Sequence, residues 1–210
     1  MHDHDHPHPH ETLPDQDAPL TYHQRLETAV RELLIEKGIL TADEVRRVVE
    51  VIDSQTPVLG SRVVARAWVD AEYRKRLLAD GPAAVRELGI DMGTTKLVVV
   101  ENSPGVHNLI VCTLCSCYPK TILGIPPDWY KSREYRSRAV REPRAVLAEF
   151  GTELPADVAV HVHDSTADLR YLVLPMRPEG TEDLTEEELA ALVSRDSMIG
   201  VAVPHAPAHA

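Results

Sequence analysis

Apolar residues recur at helical spacing along the first part of the chain. Two stripes precede residue 55: Leu26, Val30, Leu33 and Leu34, then Val45, Val48, Val49 and Ile52. Gly38 stands where the first helix would end, and Thr41 with Glu44 has the spacing of a capping box at the start of the second. Two further helices are predicted after Pro57 and from Gly81. Each has one apolar face and no evident core of its own.

From residue 96 onward the pattern changes to short β-branched runs. Residues 96–100 and 107–111 predict strands joined by a turn at 102–105, and residues 158–163 and 169–174 predict two more. Helices flank these strands: Pro143 suits a first helical position, and Thr185 with Glu188 forms a second capping box. The fold class predicted is therefore α+β.

Composition and charge exclude several partners. The chain has 33 acidic against 22 basic side chains, a formal net charge of −11. Nucleic acid and anionic membranes are therefore not expected as partners, because phosphate binding needs a basic surface. No apolar run reaches the roughly 18 residues of a membrane span, and the start lacks a signal-peptide segment, so a cytoplasmic location is expected. Residues 1–19 predict a disordered tail, in which histidines alternate with Asp and Pro and could collect divalent metal.

All three cysteines of the chain lie within six residues. Cys112, Cys115 and Cys117 have the spacing C-x-x-C-x-C, so a tight turn can bring three thiolates to one ion. Three sulfurs do not complete a tetrahedral Cys₄ zinc site, but a structural zinc with His161 or His163 as a distant fourth ligand is an alternative. A redox disulfide is another, although redox pairs usually begin a helix.

The sequence around the cysteines resembles the metal-binding claw of nitrile hydratase α subunits. The claw is Cys112-Thr113-Leu114-Cys115-Ser116-Cys117, and the similarity covers about residues 20–203. Matching downstream segments are Tyr118-Pro119, Leu123-Gly124, Pro126 to Lys131, Tyr135 to Arg138, Pro143-Arg144, Leu147 to Gly151, Arg170 to Pro175, Arg177-Pro178 and Arg195 to Gly200.

The resemblance implies a ligand set. The sulfurs of Cys112, Cys115 and Cys117 and the backbone nitrogens of Ser116 and Cys117 would hold one low-spin trivalent metal per chain. The position opposite Cys112 would stay open for water or substrate, which suits Lewis-acid chemistry. The resemblance also implies that Cys115 becomes a sulfinic acid and Cys117 a sulfenic acid. Thr113 and Tyr118 match the cobalt form, so Co(III) is expected rather than Fe(III).

The implied reaction adds water to a nitrile and yields the amide. The nucleophile would be the sulfenate oxygen of Cys117, beside the open position, or else hydroxide. Asp164, Asp168 and Arg170 match a hydrogen-bonded network near the site, although Asp168 stands where Glu is more usual. Such residues can also form an ordinary ion pair. Tyr118 is expected to supply a structural hydroxyl rather than a catalytic acid.

Two departures from the family pattern concern the substrate pocket. Lys120 and Thr121 stand where most relatives have Trp-Pro, which replaces an aromatic wall by a cation and suggests a polar, anionic or bulky substrate, for example a heteroaromatic, nucleoside-like nitrile. His163 replaces a usual Trp. A basic residue after the claw also resembles the thiocyanate hydrolase γ subunit, which is the alternative enzyme. The alternative outside enzymology is an interaction module with a structural zinc.

The resemblance also implies an architecture and partners. Residues 20–90 would form a helical arm that wraps a β-type subunit, which accounts for apolar helix faces without a core. Residues 91–210 would form a four-layer α-β-β-α catalytic domain that carries the claw. The active site would lie at the subunit interface and take two arginines from the partner, so the chain alone would be inactive. An activator or metal chaperone is expected to load the metal.

Overall fold

The computed structural model describes residues 19–207, so the predicted tail of residues 1–19 lies, apart from its last residue, outside the described part. The helices are α1 (Tyr22–Glu36), α2 (Ala42–Ser54), α3 (Pro57–Val69), α4 (Ala71–Ala79), α5 (Gly81–Glu87), α6 (Lys120–Leu123), α7 (Asp128–Lys131), α8 (Arg133–Arg141), α9 (Pro143–Glu149), α10 (Glu186–Ala191) and α11 (Arg195–Ile199). The strands are β1 (Lys96–Glu101), β2 (Val106–Val111), β3 (Ala159–Asp164) and β4 (Leu169–Leu174).

The chain divides into two compact units after Glu50. In the first unit, a capping box of Thr21 and Gln24 starts α1, and the predicted box of Thr41 and Glu44 forms, with a 2.8 Å bond from the Thr41 amide to the Glu44 carboxylate. Helix α1 ends as predicted before Gly38, which has φ +65°. No residue from 19 to 50 is buried. Among the described residues no helix has both the length and the apolar character to cross a bilayer.

The second unit contains two small parallel sheets. Strand β1 pairs with β4 from Lys96 opposite Leu169 to Glu101 opposite Leu174. Strand β2 pairs with β3 from Val106 opposite Ala159 to Val111 opposite Asp164. Because parallel neighbours need a crossover connection, each pair joins segments that are far apart in the sequence.

Helices cover both sheets and give the predicted layer order. Helices α4 and α5 pack on β1. The sheet of β1 and β4 faces β2 in the other sheet. Helix α8 packs on β2, and α9 packs on β3. The α+β class is confirmed. The shared core contains mainly aliphatic side chains, among them Leu97, Val99, Leu109, Ile110, Leu172 and Val173.

Helices α3 to α5 belong to the second unit. Val63, Val64, Leu77 and Val85 on these helices are fully buried in its core. The predicted arm of residues 20–90 therefore spans the division between the units. That this arm wraps a partner stays a prediction.

Candidate metal centre

The claw begins where strand β2 ends. Val111 is the last residue of β2, and the Ser165 amide extends the ladder with β3 by donating to the Val111 carbonyl at 2.7 Å. Cys112 follows directly and is buried, Cys115 is exposed and Cys117 is intermediate. The core therefore fixes the first cysteine, and the loop carries the others to the surface.

The three sulfurs lie together. The Sγ atoms of Cys112 and Cys115 are 3.5 Å apart, those of Cys115 and Cys117 are 3.2 Å apart, and all three lie within 4.8 Å of one another. The Cys115 amide donates to the Cys112 sulfur at 3.3 Å. Within residues 19–207, no other group of three His, Cys, Asp or Glu side chains is placed to hold a metal ion.

Hydrogen bonds among the thiols separate their acidities. Hydrogen bonds with the Cys117 and Cys112 sulfurs lower the pKa of Cys115 to about 7. Burial raises the pKa of Cys117 to about 12, and the Cys115 sulfur adds to this rise, whereas the charge of Arg170 opposes it. The loop therefore places a sulfur with a lowered pKa beside one with a raised pKa.

The donor set fits a thiolate-bound transition metal. Sulfur ligands suit zinc, cobalt or iron, but no histidine or carboxylate joins the three sulfurs in the described part of the chain. His163, one candidate for a fourth zinc ligand, instead lies with Nε2 2.8 Å from the Asn108 Oδ1 atom. The further ligands that the sequence resemblance implies, the backbone nitrogens of Ser116 and Cys117, stay a prediction.

Side chains hold the first part of the claw on both sides of Thr113. The Thr113 amide donates to the Asp164 carboxylate at 2.9 Å, and its hydroxyl donates to the same carboxylate at 2.5 Å. Arg136 donates to the Thr113 carbonyl at 3.3 Å. Asp164 was predicted near the site. The contact of Arg136 was not, because α8 approaches the claw only in the folded chain.

A buried tyrosine holds the last cysteine. The Tyr130 hydroxyl donates to the Cys117 carbonyl at 2.9 Å, and the Tyr130 side chain has no exposed surface. The Tyr118 hydroxyl donates instead to the Leu123 carbonyl at 3.4 Å. Burial raises the pKa of both tyrosines, so both phenols stay protonated donors at neutral pH. Sequence reasoning placed Tyr130 in a matching segment but gave it no role.

A cavity of about 330 Å³ adjoins the claw. Its lining residues are Thr95, Cys115, Ser116, Cys117, Tyr118, Lys120, Thr121 and Arg170. The fold thus brings most of the predicted site residues to one space, with Thr95 as an unforeseen member. Asp168 lies exposed in the turn between β3 and β4 and is not among the residues that line this cavity.

The family model described as "Nitrile hydratase, alpha chain" matches residues 21–202. The low-molecular weight cobalt-containing nitrile hydratase subunit alpha of Rhodococcus rhodochrous is 52% identical over 184 residues, which cover 87% of this chain and 89% of the relative. The thiocyanate hydrolase subunit gamma of Thiobacillus thioparus is 47% identical over 191 residues, which cover 85% of this chain and 79% of the relative.

Solved structures show the same similarity. A recombinant thiocyanate hydrolase with partially modified cobalt centres superposes with a TM-score of 0.84 at 45% identity, covering 89% of this chain and 91% of that one. A double mutant of the Fe-type nitrile hydratase from Comamonas testosteroni Ni1 gives a TM-score of 0.82 at 43% identity, covering 90% of this chain and 96% of that one.

Proposed function

The chain belongs to the family of nitrile hydratase α chains, and from this premise we propose that it is the metal-binding catalytic subunit of an enzyme that adds water to a nitrile to give the amide. The observation that carries the proposal is the group of three sulfurs within 4.8 Å, set beside a cavity of substrate size.

We assign the metal to the sulfurs of Cys112, Cys115 and Cys117 and to the backbone nitrogens of Ser116 and Cys117. Cobalt is the metal proposed, because the relative with 52% identity is named as cobalt-containing. Iron is the alternative, since an Fe-type enzyme shares the fold. When bound, the trivalent ion would supply Lewis-acid activation of the nitrile.

The side chains around the cavity would orient and attack the substrate. We propose that an external oxidant, such as dioxygen, converts Cys115 to the sulfinic and Cys117 to the sulfenic acid, and that the Cys117 oxygen is the nucleophile. Both residues line the cavity, so that oxygen would face a nitrile carbon held there. Tyr130 holds the Cys117 carbonyl from behind. Water then restores the oxygen on sulfur, and the net reaction is R–C≡N plus H₂O to R–CO–NH₂.

We further propose that a β-type subunit completes the site. An apolar stripe on α1 supports this: Leu26, Val30 and Leu33 are each about half exposed, at 46%, 48% and 48%. Cysteine oxidation adds negative charge to the claw, and donors from another chain, arginines in our proposal, would offset it. An activator that loads the metal is part of the same proposal.

Two cationic side chains indicate the class of substrate. Lys120 and Arg170 both line the cavity beside Cys117, so a polar, anionic or heteroaromatic nitrile fits better than a small aliphatic one. The second candidate function is thiocyanate hydrolysis. The same cations favour it, since thiocyanate is an anion, as does the 47% identity to a thiocyanate hydrolase subunit.

The test is to purify the full chain together with its copurifying partner, then measure metal content, intact mass and turnover. We expect cobalt, a mass raised by three oxygen atoms on this chain, and conversion of a heteroaromatic nitrile to its amide. Zinc with unoxidised thiols would contradict the proposal and support the interaction module. Turnover of thiocyanate alone would establish the second candidate.

A Lys120→Trp variant tests the role of the cavity cation. We expect its preference to move toward small, uncharged aromatic nitriles, and the matched variant Lys131→Trp, at an ion-paired position on α7, to leave the preference unchanged. If the two variants behave alike, Lys120 has no part in substrate selection.

A further inference from the structure

One face of helix α8 carries a row of arginines. Arg133, Arg136 and Arg141 stand at positions i, i+3 and i+8, which lie on the same side of a helix. This face borders a groove of about 550 Å³ that reaches the claw. The groove is lined by Thr113, Arg133, Arg136, Ser137, Val140 and Arg141. Three of these six lining residues are cationic, and none is acidic.

The carboxylates close to α8 are taken up elsewhere. Arg138, on another side of the helix, pairs with three of them, those of Glu134, Glu142 and Glu149. Arg136 and Arg141 donate instead to backbone carbonyls, at 3.3 and 3.1 Å. In the part of the chain that the structure describes, no carboxylate forms an ion pair with either of them or with Arg133. Like charges that neighbour one another on a helix are destabilising, so this face favours an anionic partner.

The chemistry of the groove suits protein carboxylates. The planar guanidinium group binds a carboxylate through two parallel hydrogen bonds. Val140 lies among the arginines and is 46% exposed, and arginine beside apolar surface is typical of protein interfaces. The chain as a whole has a net charge of −11, which disfavours a long polyanion such as nucleic acid. A short acidic segment of another protein therefore fits this groove best.

The groove continues the exposed side of the claw. Thr113 belongs to both, since it is part of the claw and lines the groove. The next residue, Leu114, is 86% exposed. Our proposed function places a β-type subunit over this side of the loop. A subunit surface that covers the claw at Thr113 also meets the groove, which identifies the source of the acidic segment.

We propose that the groove on α8 is a docking site for an acidic segment of the β-type subunit, whose Asp or Glu side chains pair with Arg133, Arg136 and Arg141. The partner then meets an anionic surface at the oxidised claw and a cationic surface on α8. Such a pattern of opposite charges fixes the register in which two subunits dock. This inference rests on the proposed function, because that proposal supplies the partner.

The test uses the full chain purified with its copurifying partner and compares two double variants. Arg133→Gln with Arg141→Gln removes two charges from the groove and leaves Arg136, which contacts the claw. The control, Arg62→Gln with Arg86→Gln, removes two exposed arginines from α3 and α5. At low salt we expect the groove variant to bind the partner about tenfold more weakly than the wild type, and the control to bind with wild-type affinity.

Salt and a conservative variant separate charge from shape. The affinity of the wild-type chain for its partner should fall as NaCl rises from about 50 mM to about 500 mM, and more steeply than that of the groove variant. Arg133→Lys with Arg141→Lys keeps both charges and should keep most of the affinity. Circular dichroism of each variant complex checks that the fold is unchanged.

Three results would overturn the inference. Equal losses of affinity in the groove and control variants would point to net charge alone. Equal losses in the Gln and Lys variants would show that the contact does not depend on charge. Wild-type affinity of the groove variant, with slower turnover of an anionic nitrile, would assign the groove to attraction of substrate. Failure of the proposed function looks different: the complex would assemble with the same dependence on the arginines, yet convert no nitrile.

Discussion

Removal of the Tyr130 hydroxyl should loosen the claw at its Cys117 end. Tyr130→Phe keeps the ring, which packs edge-on to Tyr118 at 5.2 Å, and deletes the 2.9 Å bond to the Cys117 carbonyl. A buried carbonyl left without its donor costs about 1–3 kcal/mol, and the partly buried Cys117 carbonyl belongs at the lower end of this range. A loss of about 1.4 kcal/mol lies in the lower half of that range and corresponds to a factor of ten, so the loop of the variant should open about tenfold more often than that of the wild type.

The assay is release of cobalt from the loaded protein to an excess of chelator, because release requires the loop to open. We expect Tyr130→Phe to lose cobalt about ten times faster than the wild type. The control is Tyr73→Phe. Tyr73 is only 2% exposed, and its hydroxyl donates a comparable bond to the Ala84 carbonyl at 3.2 Å, which the substitution deletes. Equal release rates for the two variants would refute a specific role for Tyr130 and leave only a general loss of stability.

Three further predictions follow from local geometry. Ser116→Ala should keep its cobalt and Cys112→Ser should lose it, as elemental analysis would show, because only the backbone of Ser116 is a proposed ligand; loss from both would contradict that assignment. Burial lowers the pKa of His107 below 6.5 in the folded chain, so the contribution of His107 to stability is full above pH 6.5 and is lost as the pH falls through the folded pKa. Across this range the melting temperature should fall less for His107→Gln than for the wild type. An identical dependence of melting temperature on pH would exclude His107 as a source of the acid sensitivity. Gly200→Ala should lower the melting temperature far more than Gly180→Ala. Both glycines have positive φ, which costs an alanine about 1–2 kcal/mol, but of the two only Gly200 would place its new Cβ onto a backbone atom, the Asn108 carbonyl oxygen. Equal losses would show that the backbone moves aside.

Local signals in the sequence predicted the elements well. The strand predicted at 96–100 extends to 101 in the structure, and the strand predicted at 169–174 has those bounds. The capping boxes of Thr41 and Thr185 form as predicted, because such signals depend on neighbours within a few residues. The packing of α3 to α5 was not predictable in the same way. A one-sided apolar stripe shows that a helix is covered but does not show whether its own chain or another chain covers it.

The candidate site also combines features set by neighbours in the sequence with features set by long-range contacts. The convergence of Cys112, Cys115 and Cys117 followed from their spacing, whereas the contacts that hold the loop are long-range. Asp164 reaches Thr113 from 51 positions away, and Tyr130 reaches Cys117 from 13. No periodicity encodes such contacts.

The charges around the claw support the proposal that a partner covers the exposed side of the loop. The chain carries a net charge of −11. Among the described residues the cations near the loop include Lys120 and Arg170 in the cavity and Arg136, and the two arginines already donate to the Thr166 and Thr113 carbonyls. Oxidation of Cys115 would add charge on an exposed sulfur. Beside it, Leu114 is 86% exposed, the highest value among the large apolar side chains of the described residues. An exposed apolar tip next to an anionic loop favours a partner surface that brings both apolar contact and arginines, so we expect Leu114→Asp to weaken subunit association while the metal-free chain keeps its melting temperature.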